Sequence, residues 1–187
     1  MSTGKLVIIS SPSGGGKDSI INALLKILPN SGRLLTTTTR PLRPGNIQGV
    51  DYNFVSQEEF LEKIKSNDFL EYNNYAGNYY GSEKEKLTQA LENYNYVLTQ
   101  IEVNGKHNLD KIGIKNISVF LLPDNLDILA ERIRKRGGIS EGVLKERLEI
   151  AKKEIDDSVD YNLRIVNKDG YFEETVQKIA EFLLKQA

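Results

Sequence analysis

"IISSPSGGGKDSI", residues 8–20, sets three glycines and a lysine between an apolar run and a helical pattern. The general phosphate-loop pattern is G-x-x-x-x-G-K-[ST]. Ser11 stands at its first glycine and Asp18 at its closing hydroxyl residue. The context nevertheless fits. Leu6–Ser10 reads as a short buried strand, and Ile20, Ile21, Leu24, Leu25 and Leu28 recur on one helical face. In a strand–loop–helix unit the backbone N–H groups form a nest for phosphate oxygens, and the helix adds the positive end of its dipole. Gly14 and Gly16 would supply backbone conformations that other residues rarely adopt. Lys17 would bridge the terminal phosphates.

The same alternation continues along the chain. "YVLTQIEV" precedes a helix near 104–112, "NISVFLL" one near 124–136, and "YNLRIV" one near 170–185. Strands alternating with helices predict an α/β fold: a parallel sheet covered by helices. Two regions break the rhythm. Residues about 34–81 hold short aromatic strands around a helix that Ser56 and Glu59 open as a capping box. Ser82 and Glu85 are expected to open the next helix in the same way. Residues about 132–157 are dense in charge and read as two helices joined at Gly137-Gly138.

At 187 residues the chain fits one domain with inserted parts and can bury a proper core. Its 25 basic and 26 acidic residues leave a net charge of -1. That balance argues against a nucleic-acid or anionic-membrane binder, which would carry a basic excess. The absence of cysteine excludes disulfides and thiolate metal sites. The single histidine, His107, leaves no histidine cluster and reads as a solvated or capping residue. No apolar run suits a signal peptide or approaches the ~18 residues of a membrane span. A cytoplasmic protein is expected.

The second cluster is "TTTTRPLRPGNIQGVDYNF". Arg40 and Arg43, with Gly45 and Gly49 after them, suit capture of a phosphate by planar guanidinium forks. The chain has eight arginines, and three of them stand at 132, 134 and 136. Arg132 and Arg136, four apart, share a helix face. With a phosphate loop in the same chain, these arginines suggest several phosphates to neutralise.

At this point the chain resembles the guanylate kinases from end to end. "PSGxGKS" of that family appears as Pro12 to Lys17, and its arginine segment as Thr36 to Phe54, with Asn46 for a family Glu. Glu71 and Gly77 to Ser82 match "E…G-x-x-Y-G-[ST]". Arg132, Arg136, Gly137, Arg147 and Leu148 match the lid pattern, and Ile165–Asn167 the adenine-side loop. "D-I-D-x-x-G" reads Gln100, Ile101, Glu102, Val103, Asn104, Gly105.

The resemblance implies a phosphate-loop core (about 1–33, 84–128 and 158–187), an inserted GMP-binding part (about 34–83) and a helical lid (about 129–157). It implies the reaction ATP + GMP → ADP + GDP with Mg²⁺. No nucleic-acid or membrane partner is expected, and no obligate protein partner is evident in the sequence. ATP would be held by Ser13, Gly14, Gly15, Gly16, Lys17, Asp18, Ser19 and Asn167. Lys17, Arg132, Arg136 and Arg147 would act on the transferring group. GMP would be held by Thr36, Arg40, Arg43, Tyr52, Glu71, Tyr80, Ser82 and Glu102. Guanine offers two donors, N1–H and the 2-amino group, which suit a carboxylate such as Glu71; adenine offers an acceptor at N1 instead. Asp18 has gained a carboxylate where the family has a hydroxyl, and Gln100 has lost one where it has Asp. This suggests an exchange in which Asp18 meets Mg²⁺ and the Gln100 amide supports it. Two other readings are a catalytically weak guanylate-kinase-like module that binds nucleotide or peptide, and a kinase for another nucleoside monophosphate. The retained Lys17 and lid arginines oppose the first, and Glu71 the second.

Overall fold

The computed structural model describes residues 4–75, 77–135 and 140–186, along which nine strands and seven helices are arranged. The apolar run before the glycines is β1 (Lys5–Ser10), and the periodic stretch after them is α1 (Lys17–Ile27), which buries Ile20, Ile21 and Leu24. Next come β2 (Ser31–Arg33), β3 (Thr37–Thr38), β4 (Asn53–Phe54), α2 (Gln57–Lys65), β5 (Phe69–Tyr75), β6 (Asn78–Glu83) and α3 (Lys84–Asn93). The chain continues through β7 (Tyr96–Gln100), α4 (Val103–Lys111), β8 (Ile117–Leu122), α5 (Leu126–Lys135), α6 (Glu141–Asp157), β9 (Leu163–Val166) and α7 (Phe172–Lys185).

Five strands form one sheet in the order β2-β7-β1-β8-β9, with β2–β7 and β8–β9 pairing in parallel. All of β7 and Ser118–Leu121 of β8 are buried, the near-continuous burial of strands covered on both faces. This is the α/β fold that the alternation predicts. A second sheet, β4-β3-β6-β5, gathers the short strands of the first excursion; β3–β4 is parallel, while β3–β6 and β5–β6 are antiparallel.

The chain divides into two compact units. The first comprises Met1–Ile8 and Leu28–Asn116. Its core includes Leu6, Ile8, Leu34, Leu87, Val97, Ile101 and Leu109. The four-stranded sheet belongs to this unit and is held by aromatic packing. Phe60 of α2 stacks on Phe69 at 4.4 Å and on Tyr79 at 5.3 Å. These rings need a glycine at 81, where a Cβ would stand 2.8 Å from Phe69 Cδ1. Glu83, buried at the end of β6, accepts hydrogen bonds from Lys86, Thr37 and Lys63, so it ties β3, α2 and α3 together. Burial alone would raise its pKa, but those three donors outweigh it and hold the carboxyl down at about 2.

The second unit comprises Ile9–Ile27 and Ile117–Ala187. In it α7 buries Val176, Ile179, Ala180 and Leu183 and packs beside α1. The charged excursion has an apolar inner side: Leu129, Ala130 and Ile133 of α5 pack with Leu144 and Ala151 of α6. Gly137 and Gly138, expected to join these helices, lie outside the described residues.

The capping box at Ser56 and Glu59 forms as expected, with Glu59 N–H donating to Ser56 Oγ and Ser56 N–H to Glu59 Oε2. The one at Ser82 and Glu85 does not. Ser82 is a strand residue, and α3 starts at Lys84 with Glu83 as its N-cap and no side-chain cap. A cross-strand carboxylate takes the Ser82 hydroxyl instead.

Candidate functional site

The glycine loop sits between β1 and α1 in the second unit. Gly14 and Gly16 have φ of 91° and 90°, the left-handed region where a side chain is strained. Gly15 N–H donates to Pro12 O at 2.9 Å, closing the turn, and Ile20 N–H donates to Gly16 O at 3.1 Å, starting the helix. Lys17 Nζ folds back on the Ser11 carbonyl at 2.7 Å. Asn167, buried after β9, donates to Gly15 O at 2.9 Å, and its own N–H bonds Leu122 O. The residue expected on the adenine side therefore also clasps the loop. Asp18 and Ser19 are exposed on the first turn of α1, and Ser13 is half-buried.

Ser11 does not have a positive φ, so its backbone is unstrained without glycine. Its side chain occupies the space over Gly15. A Cβ at Gly15 would overlap Ser11 Oγ and stand 2.5 Å from Ser11 Cβ. The side chain gained at 11 thus removes the freedom that position 15 has in the general pattern. Gly15→Ala is expected to cost about 1–3 kcal/mol through overpacking, or roughly 2–4 °C of melting temperature for each kcal/mol in a chain of this size. Ser11→Gly should remove most of that loss in the double variant, measured by thermal unfolding. An undiminished melting temperature in Gly15→Ala alone would refute the packing argument.

α5 reaches this loop. A Cβ at Gly14 would stand 3.2 Å from Ile133 Cγ1 and 3.7 Å from Arg132 Cβ. Arg132 Nη2 donates to Asn167 O at 3.2 Å and pairs with Asp169. Arg147, on α6, is half-buried, and its buried Nε has no hydrogen-bond partner among the described residues. Arg136 lies outside the described residues.

The first unit gathers a different set. Glu71 on β5 and Ser82 on β6 are directly opposed in the antiparallel register, just past an irregularity between Phe69 and Glu71. Ser82 Oγ donates to Glu71 Oε1 at 2.8 Å, and both residues are buried. Desolvation by burial raises the Glu71 pKa to about 7, partly offset by hydrogen bonds from the Ser82 side chain and backbone and reinforced by the nearby charge of Glu102. Glu102 is the N-cap of α4 and accepts from Asn73 Nδ2 at 3.3 Å. Thr36, just before β3, donates its hydroxyl to the Gln100 carbonyl at 3.2 Å. The Gln100 side-chain amide is buried, and among the described residues neither its Nε2 nor its Oε1 has a hydrogen-bond partner. A buried polar group left so costs roughly 1–3 kcal/mol.

Arg40 is buried to 8% exposure, with its guanidinium 5.2 Å from the Tyr52 ring centroid and 5.4 Å from that of Phe54. Its Nη2 donates to Asn46 Oδ1 at 2.8 Å. The neutral amide orients the guanidinium without cancelling its charge, as a carboxylate there would. Tyr80 faces Tyr52 edge-on at 6.3 Å. Burial pushes its hydroxyl pKa up. Arg43 is exposed. Sequence reasoning missed the grips of Asn46 on Arg40, Asn73 on Glu102 and Asp169 on Arg132; none has a local signature.

Each unit thus presents its own cationic or carboxylate set. The guanylate kinase family model matches residues 3–186. A guanylate kinase of Nostoc sp. is 38% identical over 95% of this chain and 88% of its own length. One of Rickettsia felis is 37% identical over 98% of this chain and 94% of its own. The crystal structure of guanylate kinase from Anaplasma phagocytophilum superposes with a TM-score of 0.79 at 29% identity, covering all of this chain and 87% of that one. With a glycine loop clasped by Asn167 in one unit and a buried Glu71–Ser82 pair in the other, the chain belongs to the guanylate kinase family of nucleoside monophosphate kinases.

Proposed function

We propose that this chain transfers the γ-phosphoryl group of ATP to GMP or dGMP, giving ADP and GDP or dGDP. The observation that carries the reading is the buried Glu71 carboxylate, with Ser82 donating to one oxygen and accepting capacity left for guanine's two donors. In this reading Thr36, Ser82 and Glu102 complete the base contacts, and Arg40, Arg43, Tyr52 and Tyr80 take the GMP phosphate. The loop from Ser13 to Ser19, with Asn167, takes ATP. Lys17, Arg132, Arg136 and Arg147 neutralise the transferring group. The division into core, GMP-binding part (about 34–83) and lid (about 129–157) belongs to the same proposal.

Phosphoryl transfer asks mainly for positioning and charge neutralisation. The acceptor phosphate is already ionised, so no general base is needed, in keeping with a single histidine. The obstacle is repulsion: unit charges ~4 Å apart repel by roughly 4 kcal/mol at an effective dielectric of 20. Arginines and Lys17 on both substrates offset it.

The residues fit Mg²⁺, which is held by one or two carboxylates together with substrate phosphates rather than by an all-protein cage. Among the described residues no group of three or more His, Cys, Asp or Glu could hold a metal, whereas Asp18 offers one exposed carboxylate beside the loop. Bound with ATP, Mg²⁺ supplies charge neutralisation on the phosphate oxygens. Asp18 would hold it, and the unpartnered Gln100 amide is a hydrogen-bond donor for the exchange read from the sequence. If the exchange operates, Asp18→Ser weakens Mg²⁺-dependent turnover, and Asp18→Ser with Gln100→Asp recovers most of it. Simply additive effects in that cycle would leave Asp18 as a first-turn acid favoured by the helix dipole.

No helix among the described residues is long and apolar enough to cross a membrane, and a cytoplasmic location beside the nucleotide substrates is part of the proposal. The test of the reaction is stoichiometry. ADP and GDP should form one to one from ATP and GMP, and ADP without GDP would mean hydrolysis instead.

A further inference from the structure

Gly105 is the third residue of α4 and is buried. Glycine weakens a helix interior relative to alanine, and Gly105 has no positive φ that would call for it. The helix backbone makes no use of glycine's freedom here; the neighbouring side chains use its space. A Cβ at 105 would stand 2.7 Å from Glu71 Oε2, 3.3 Å from Glu71 Cδ and 2.5 Å from Ile101 Cγ2.

A carboxylate that accepts two parallel N–H bonds from a base edge must hold both oxygens near the plane of the base. Nothing in a glutamate's own chain ensures this, because its last torsion is broad and roughly two-fold. Ser82 holds Oε1 by its hydroxyl at 2.8 Å and adds a backbone hydrogen bond to the carboxyl, so both of these grips come from the β6 side. The helix α4 bounds the carboxyl on its other side. Oε2 lies in the space where a side chain at 105 would stand.

We infer that Gly105 is a specificity-determining positioning residue: the side chain it lacks is the seat that fixes the plane of the Glu71 carboxylate against guanine. The inference rests on the reading of Glu71 as the guanine-binding carboxylate. Glu102 acts on Glu71 through its charge and Ser82 through two hydrogen bonds from β6, whereas Gly105 leaves room for the carboxyl on the α4 side.

The test is a cycle of Gly105→Ala, Glu71→Ala and the double variant, read by steady-state kinetics with GMP and with IMP, which lacks the 2-amino group. Gly105→Ala is expected to raise the KM for GMP at least tenfold and compress the preference for GMP over IMP, with the KM for ATP changed less than twofold. In the Glu71→Ala background the same change should add little beyond its contact with Ile101, since the displaced carboxylate is gone. Ile101→Ala with Gly105→Ala relieves the other close contact and should keep the loss. The inference is overturned if Gly105→Ala keeps the wild-type KM and GMP:IMP ratio, if relief at Ile101 restores them, or if the penalty is as large without Glu71. Should Glu71→Ala itself leave the KM for GMP unchanged, the guanine reading of Glu71 fails, and this inference with it.

Discussion

Glu71→Gln is expected to lower kcat/KM for GMP by two to three orders of magnitude while leaving the KM for ATP within about twofold. The substitution keeps the shape but replaces one acceptor oxygen by a donor that would face a guanine donor. A charge-assisted hydrogen bond is lost, at about 1.5–3 kcal/mol, and buried donors are left unpaired, at about 1–3 kcal/mol. The same carboxyl makes recognition pH-dependent. With its pKa at about 7, kcat/KM for GMP should rise with pH through 7 as the acceptor form appears. A limb near pH 6 from the second ionisation of a phosphate monoester should persist in Glu71→Gln, whereas the limb near 7 should vanish. Stability runs the other way. The folded pKa of Glu71 is raised above the ordinary glutamate value of 4.5, so its contribution is fully present below 4.5 and lost as pH rises through about 7. Glu71→Gln should therefore raise the melting temperature of the nucleotide-free protein at pH 8 relative to its effect at pH 4. Glu83, held at about 2, titrates below this window and does not confuse the comparison.

Arg132→Ala is expected to lower kcat about a hundredfold to a thousandfold and to change the KM for GMP by less than about threefold. Arginines on the transferring phosphoryl group are worth 10³–10⁵ in related chemistry, and Arg132 shares its charge with Asp169 and the Asn167 carbonyl, which places the expected loss at or below the low end. A residue that acts only on the transferring group lowers kcat and kcat/KM together. Wild-type turnover in Arg132→Ala would make the guanidinium no more than a strut between α5 and the segment after β9.

Much of the fold is legible locally. The apolar runs at Leu6–Ser10, Tyr96–Gln100 and Ser118–Leu121 become buried strands because a strand covered on both faces has no reason to alternate. The helix face at Ile20, Ile21 and Leu24 is buried as its period requires. What the pattern could not convey depends on partners distant in the chain. Ser82 and Glu85 have the spacing of a capping box as good as that of Ser56 and Glu59, yet Ser82 lies opposite Glu71 across two strands, and that carboxylate takes its hydroxyl. Ser11 looks like a defect in the phosphate loop until its side chain is seen over Gly15. Asn46, in place of an acid, looks like a lost partner for Arg40, but its amide oxygen makes the bond. In each case the residue type was visible and the contact was not.

Guanine selectivity is measured as ADP release from ATP with GMP, AMP, CMP and UMP as acceptors, compared as kcat/KM. If the buried Glu71–Ser82 pair reads guanine, GMP should exceed AMP by at least two orders of magnitude, because adenine sets an acceptor against the carboxylate. Comparable values for GMP and AMP would contradict it.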